Sequence, residues 1–318
     1  MSKLYQVRHV TRHRYENDVA ESVMEVRKCP VARENQRVLS FRLEVDPGAK
    51  LFRFDEPNGN VVHHFDVPQP HRRMIIAAES LVEMKQPELL PAAVPADQWS
   101  ALREVVDDAE FIEFVLPSTL VKPTDALRAF KDQVSPHEGE DPLNYLRRVS
   151  GEIARGFEYV PLSTQVDSPI DEALESKQGV CQDFAHILVG VARIVGIPAR
   201  YVSGYLFHRQ DGGDRSSSDA SHAWVEAYLP ALGWCGFDPT NNIEAGDRHI
   251  VTCVGRDYKD VPPTRGVYRG QSASELSVAV QVHPADSPHA ADEFRIMDES
   301  DLRLDDWNNP EHQAQDQQ

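Results

Sequence analysis

Leu39, Phe41, Leu43 and Val45 alternate with Ser40, Arg42 and Glu44, which is the period of a half-buried strand. Asp46-Pro47-Gly48 then turns the chain. Phe52 and Phe54 open another run, and Pro57-Asn58-Gly59-Asn60 is an Asn-Gly hairpin signal. Val61, His63, Phe65 and Val67 alternate again, and residues 74–84 continue in the same period. Strands at this spacing predict a small antiparallel β-sandwich over residues 1–90. His9, His13, His63 and His64 fall in it without convergent metal-ligand spacing, and are expected at the surface or rim.

Prolines 87, 91 and 95 mark a change of pattern, and residues 91–140 read as a helical linker region. Asp141 is an N-cap with Pro142 at the first helical position, followed by one apolar stripe of Leu143, Leu146, Val149, Ile153 and Phe157. A second helix is expected with Ser168 as N-cap, Pro169 in its first turn and Gly179 as its stop. From Cys181 to Val195 the sequence is apolar on nearly every side, as in a buried central helix. Strands then follow over Ala199–Phe207, Ser221–Leu229 and Trp234–Asp238. Val251–Pro263 reads as loop, and "ELSVAVQV" as a last strand. This second unit spans residues 141–283. Residues 284–318 are acidic, polar and Gln-rich, as in a disordered tail.

The formal net charge is −18 over 318 residues, a field that repels phosphate backbones and excludes a general nucleic-acid role. The first residues contain no apolar run, so no signal peptide, membrane segment or membrane partner is expected, and the cytoplasm is the expected location. Four cysteines (29, 181, 235 and 253) without a CxxC motif do not form a disulfide framework.

One of these cysteines, by its position, reads either as an ordinary core thiol or as a nucleophile, and the order of helix-start Cys, strand His and next-strand Asp favours the second. Cys181 stands where a helix begins, and the positive end of a helix dipole favours a thiolate. A free backbone N–H there is also an oxyanion donor. The base must be a histidine oriented by a third group. His222 opens the next strand but one, and Asp238 ends the strand after it. In an antiparallel pair, the two share a face if facing positions sum to 460 or 462, which places them about 5–8 Å apart. Cys29, Cys235 and Cys253 have no such context and read as small buried hydrophobes.

The stretches "GVCQDFAHILVGVARIVGIPARYVSGY", "SHAWVEAYLPALGWCGFDPTN" and "GRDYKDVPPTRGVYRG" resemble the bacterial transglutaminase-like family, and the strand-rich first 90 residues resemble the N-terminal region that accompanies its core. The resemblance implies an α+β fold: a papain-like core of one central helix packed on an antiparallel sheet, preceded by the sandwich. It places the family's triad on Cys181, His222 and Asp238. It makes Tyr159, or else Gln178, the second oxyanion donor. Asp183 is a candidate for capping or polarising the first helical turn. Trp224 and His186 are cleft-lining candidates, with core packing as the competing role. Arg256, in "GRDY", is a candidate for holding a substrate carboxylate on a loop over the cleft.

The implied activity is acyl transfer from a peptide, protein or small amide through a thioester, with water as acceptor. The alternatives are transfer to an amine, an acyl-CoA-dependent acetyltransferase, or a peptide-binding module without catalysis. The mechanism calls for no metal or cofactor, and no EF-hand loop is present. Nothing in the sequence indicates the oligomeric state.

Overall fold

The computed structural model describes residues 2–95, 97–209 and 212–287; most of the expected disordered tail lies outside them. The N-terminal strands are β1 (Ser2–Val19), β2 (Glu21–Val26), β3 (Gln36–Asp46), β4 (Phe52–Asp55), β5 (Val61–Val67) and β6 (His71–Lys85). The β4–β5 hairpin turns at Gly59, whose φ of +79° suits a residue without a Cβ. Two short helices follow, α1 (Gln98–Val105) and α2 (Asp125–Gln133). Next come α3 (Pro142–Gly156), β7 (Glu158–Tyr159), α4 (Ile170–Ser176), β8 (Gln178–Gly179) and α5 (Cys181–Ile194). The chain continues through β9 (Ala199–Leu206), β10 (His222–Leu229), β11 (Gly233–Asp238), β12 (Ile243–Glu244) and β13 (His249–Gly255), and ends in β14 (Thr264–Arg269) and β15 (Ser274–Pro284).

The strands form two four-stranded sheets, ordered β15-β1-β6-β3 and β14-β2-β5-β4, a five-stranded sheet ordered β12-β11-β10-β9-β13, and the short pair β7-β8. The first two face each other across Met24, Val26, Phe65, Val67, Met74 and Ile76, which makes the expected sandwich. β14 and β15 follow the core in sequence, yet they pair with β2 and β1, so the chain returns to the sandwich after building the core.

The five-stranded sheet carries α5 on one face. Phe184, Ile187, Leu188, Val189 and Val191 have no exposed surface, and burying side chains of this size stabilises the fold by about 1.5–3 kcal/mol each. Helices α2, α3 and α4 pack against the same helix.

Four local expectations are corrected. The α4 helix begins at Ile170, with Pro169 in the cap position; Ser168 instead donates its hydroxyl to Glu172 at 2.6 Å. That helix stops at Lys177, in the left-handed region with φ +58°, whereas Gly179 lies in β8. "HIVTCVG" is a fully buried strand, not a loop. His9 and His63 are buried. His9 Nδ1 is 3.0 Å from the Tyr205 hydroxyl, a partner across the boundary between sandwich and core that no local pattern reveals.

Candidate active site

The α5 helix starts at Cys181 because the residue three positions into it closes the turn before it. Asp183 Oδ2 accepts the N–H of Val180 at 2.8 Å and the hydroxyl of Thr164 at 2.6 Å. This satisfies one of the N–H groups a helix start leaves without a partner. Burial pushes the Asp183 carboxyl upward, while the bonds from Thr164 and Val180 pull it back. A Cβ on Gly179 would lie 2.9 Å from Asp183 Oδ2 and 3.2 Å from the Phe184 ring, so the approach to Cys181 has no room for a side chain there. β7 runs parallel to β8, with Tyr159 beside Gly179.

Strand register brings the other two groups together. Val225 faces Phe237 and Leu229 faces Gly233, so facing positions sum to 462. In that frame Asp238 stands one pair diagonal from His222, on the same face. His222 Nε2 donates to Asp238 Oδ2 at 2.8 Å. Its Nδ1 is buried and has no hydrogen-bond partner, which leaves it as the nitrogen available to the neighbouring Cys181 sulfur. Burial alone would discharge the imidazole. Asp238 outweighs that, Cys181 adds to it, and the His222 pKa is pushed up to about 10. Asp238 is buried too, but His222 and then His249 hold its carboxyl well below the usual range. The arrangement places a protonated imidazole beside the cysteine at the head of a buried helix. Cys181 itself is 2% exposed.

Asp238 has partners that the sequence reading missed. Its Oδ1 accepts the N–H groups of Thr240 and Asn241 at 3.0 and 3.1 Å. Its Oδ2 also accepts Asn241 Nδ2 at 2.8 Å and His249 Nε2 at 3.2 Å. Asn241 follows the strand end at Pro239, and no motif or period marks it for the site. His249 opens β13, whose residues from Val251 on read as loop, so no period marks it.

His222, Asp238 and His249 bring their ligand-type atoms within 4.8 Å of one another. The fit to a metal fails at His249. Its Nδ1 accepts the Gly246 N–H at 3.1 Å, so in the neutral ring the proton sits on Nε2 and no lone pair faces the centre.

The remaining candidates have partners of their own. The Gln178 amide donates to Glu158 at 3.2 Å, whereas Tyr159 packs half-buried against the core, its ring 6.4 Å from Phe184. Trp224 is buried among Val31, Val202, Val251 and Val254, with its ring stacked 6.0 Å from His222. It therefore backs the histidine. His186 is buried, and its Nε2 accepts the Tyr258 N–H at 3.2 Å. Burial pushes its pKa down to about 4, Asp257 opposing and Arg193 reinforcing the effect.

Arg256 is bound by Asp260, with Nε and Nη2 at 2.8 and 2.9 Å from its two oxygens, so one side of its fork is already occupied. The "GRDY" motif is a fastening. Asp257, 1% exposed, accepts the N–H groups of Leu120 and Lys259 at 2.8 Å each and ties the linker to the core. A cavity of about 660 Å³ lies behind the candidate site, with Trp224 and His249 in its wall and Cys181 not among its lining residues.

Comparison with known proteins agrees with this architecture. The sequence pattern of the transglutaminase-like superfamily matches residues 128–239, and that of the bacterial transglutaminase-like N-terminal region matches residues 5–83. An uncharacterised protein of Mycobacterium leprae is 33% identical over 275 residues, which cover 86% of this chain and 96% of that one. A protein-glutamine gamma-glutamyltransferase of Pseudomonas aeruginosa is 31% identical over 123 residues, 35% of this chain and 18% of that one. The structure of a candidate cysteine protease from Cytophaga hutchinsonii superposes with a TM-score of 0.70 over 96% of both chains at 20% identity, a likeness of fold.

Proposed function

The chain belongs to the transglutaminase-like superfamily, with a bacterial transglutaminase-like N-terminal region, and from that premise we propose that it catalyses cysteine-dependent acyl transfer on amides. The Cys181 thiolate attacks the amide carbonyl carbon. As the C–N bond breaks, the His222 imidazolium gives its proton to the leaving amine, and an acyl-thioester remains on Cys181. An acceptor then attacks the thioester, His222 takes the acceptor's proton, and the C–S bond breaks. Asp238 holds the ring and stabilises its charge throughout. The Cys181 backbone N–H, at the head of α5, is the oxyanion donor of the proposal, with Tyr159 as its candidate companion.

The observation that carries this reading is the buried Asp238–His222 bond beside a cysteine at the head of α5. Water is the proposed acceptor, because it is the smallest nucleophile and Cys181 is 2% exposed. Transfer to an amine is the second reading, favoured by the likeness to the Pseudomonas glutamyltransferase. The test is a panel of peptide amides, together with a glutamine-containing protein and a fluorescent primary amine. Wild type is expected to form an acyl adduct on Cys181, visible by intact mass, and Cys181→Ala to form none. Turnover by Cys181→Ala equal to wild type would remove the catalytic reading.

A further inference from the structure

We propose that His249 is a positioning residue for Asp238, a fourth member of the centre that acts through the carboxylate; this rests on reading Cys181, His222 and Asp238 as the acyl-transfer triad. The Gly246 N–H at Nδ1 fixes the tautomer, so Nε2–H points only at Asp238 Oδ2. The ring is 4% exposed and is held edge-on by Trp224 at 5.1 Å. Trp224 in turn stacks on His222. Asp238 is thereby clamped from β10, from its own turn and from β13, a strand that reaches the site from the other side of β9.

The clamp has two consequences. It fixes the oxygen that orients His222. It also divides the charge of Oδ2 among three donors, so His222 does not receive all of it. With the His249 donor removed, Oδ2 binds the imidazolium more tightly. His222 then keeps its proton to higher pH and delivers it to the leaving amine more slowly. Burial, reinforced by His222 and Arg248 and opposed by Asp238, keeps His249 neutral. The other charged or titratable groups facing this cluster are Cys181 on α5 and His208 after β9, with Arg248 bound to Asp214 at 2.7 Å. The variants below leave all of them in place.

His249→Phe keeps the ring packing against Trp224 and removes the donor, whereas His249→Gln restores an N–H at similar reach. For His249→Phe, kcat is expected to fall about 10- to 100-fold, the range for a hydrogen bond to a charged group. KM should stay within about threefold, and the basic limb of Cys181 alkylation, which needs no substrate, should move to higher pH. His249→Gln should recover most of both. In wild type, nitrogen NMR should show His249 as a neutral Nε2–H ring below the ordinary imidazole pKa of about 6.5.

An Nδ1–H tautomer, or titration near that pH, overturns the proposal whether or not the variants fold. So does a His249→Phe enzyme with wild-type kcat, or one that loses activity with an unmoved basic limb. Cys181→Ala, run in parallel, separates the two ideas: if it retains turnover, the acyl-transfer reading fails, and if it is dead while His249→Phe behaves as wild type, only the role of His249 fails.

Discussion

Asp183→Ala tests how Cys181 is presented. In the wild type one carboxylate oxygen accepts both the Val180 N–H and the Thr164 hydroxyl. Val180 is 1% exposed and Thr164 4%, so neither group can turn to solvent when the acceptor goes. An orphaned buried donor costs about 1–3 kcal/mol, and the backbone N–H bears most of that. Removing a carboxyl that burial already penalises offsets part of it. The net loss is expected at about 2–3 kcal/mol, a substantial share of a typical folding free energy of about 5–15 kcal/mol.

Asp183→Asn is the control. An amide oxygen has two lone pairs and can accept both bonds, so this variant should lie within about 1 kcal/mol of wild type. The sign with pH is fixed by the raised folded pKa of Asp183. The wild-type carboxyl favours the fold below its unfolded value of about 3.9 and loses that advantage as pH rises through the folded value. Asp183→Asn should therefore gain on wild type over that interval. Urea denaturation at several pH values gives the three stabilities, and Cys181 alkylation reports whether the helix head has moved. If Asp183→Ala were as stable as Asp183→Asn, the account of the helix start would be wrong.

Iodoacetamide at neutral pH should label Cys181 ahead of the other thiols: burial pushes Cys29 up to about 11, Cys235 up to about 12 and Cys253 higher still. Peptide mapping reads the order, and equal labelling at all four sites would contradict it. The buried His222–Asp238 pair should make stability bell-shaped in pH. The raised His222 contributes fully below its unfolded value of about 6.5 and is lost as pH climbs through about 10; the depressed Asp238 contributes above about 3.9 and is lost as pH falls through its lower folded value. Asp238→Asn should flatten both limbs in denaturation curves. Arg256→Ala should leave turnover unchanged and cost under about 1 kcal/mol, because its exposed guanidinium already serves Asp260; a KM rise confined to acidic substrates would restore it as a substrate clamp.

Local chemistry made much of this fold legible. Asp141 caps α3 by accepting the N–H groups of Leu143 and Asn144, as an Asp-Pro start dictates. The all-apolar run of α5 announced a buried helix, and strand parity stated the register that would put His222 and Asp238 on one face, which the β10–β11 pairing meets. What stayed hidden depends on contacts distant in sequence. β13 reads as loop because every residue is buried and includes His, Thr, Cys and Gly, so it has no alternation. Its identity comes from pairing with β9. His249 belongs to the site only because that pairing delivers it to Asp238. Arg256 looked available because its partner Asp260 is four residues away in a 3-10 turn that the sequence did not signal.

The same strand ties the sandwich to the core. β13 is the edge of the five-stranded sheet, and an edge leaves N–H and C=O groups open to wrong pairing. Here the sandwich side closes it, largely with side-chain amides. Gln36 accepts the Val251 N–H and donates to the Val251 carbonyl, both at 2.8 Å. Asn60 does the same for Val254 at 2.8 and 2.9 Å. Each amide imitates one residue of a missing neighbour strand, and the Val31 N–H adds a bond to the Val251 carbonyl at 3.0 Å. These contacts hold the strand that begins with His249, and His249 contacts the carboxylate that orients His222. Through that sequence of bonds the N-terminal strands, which carry none of the reacting groups, set the geometry of the groups that do.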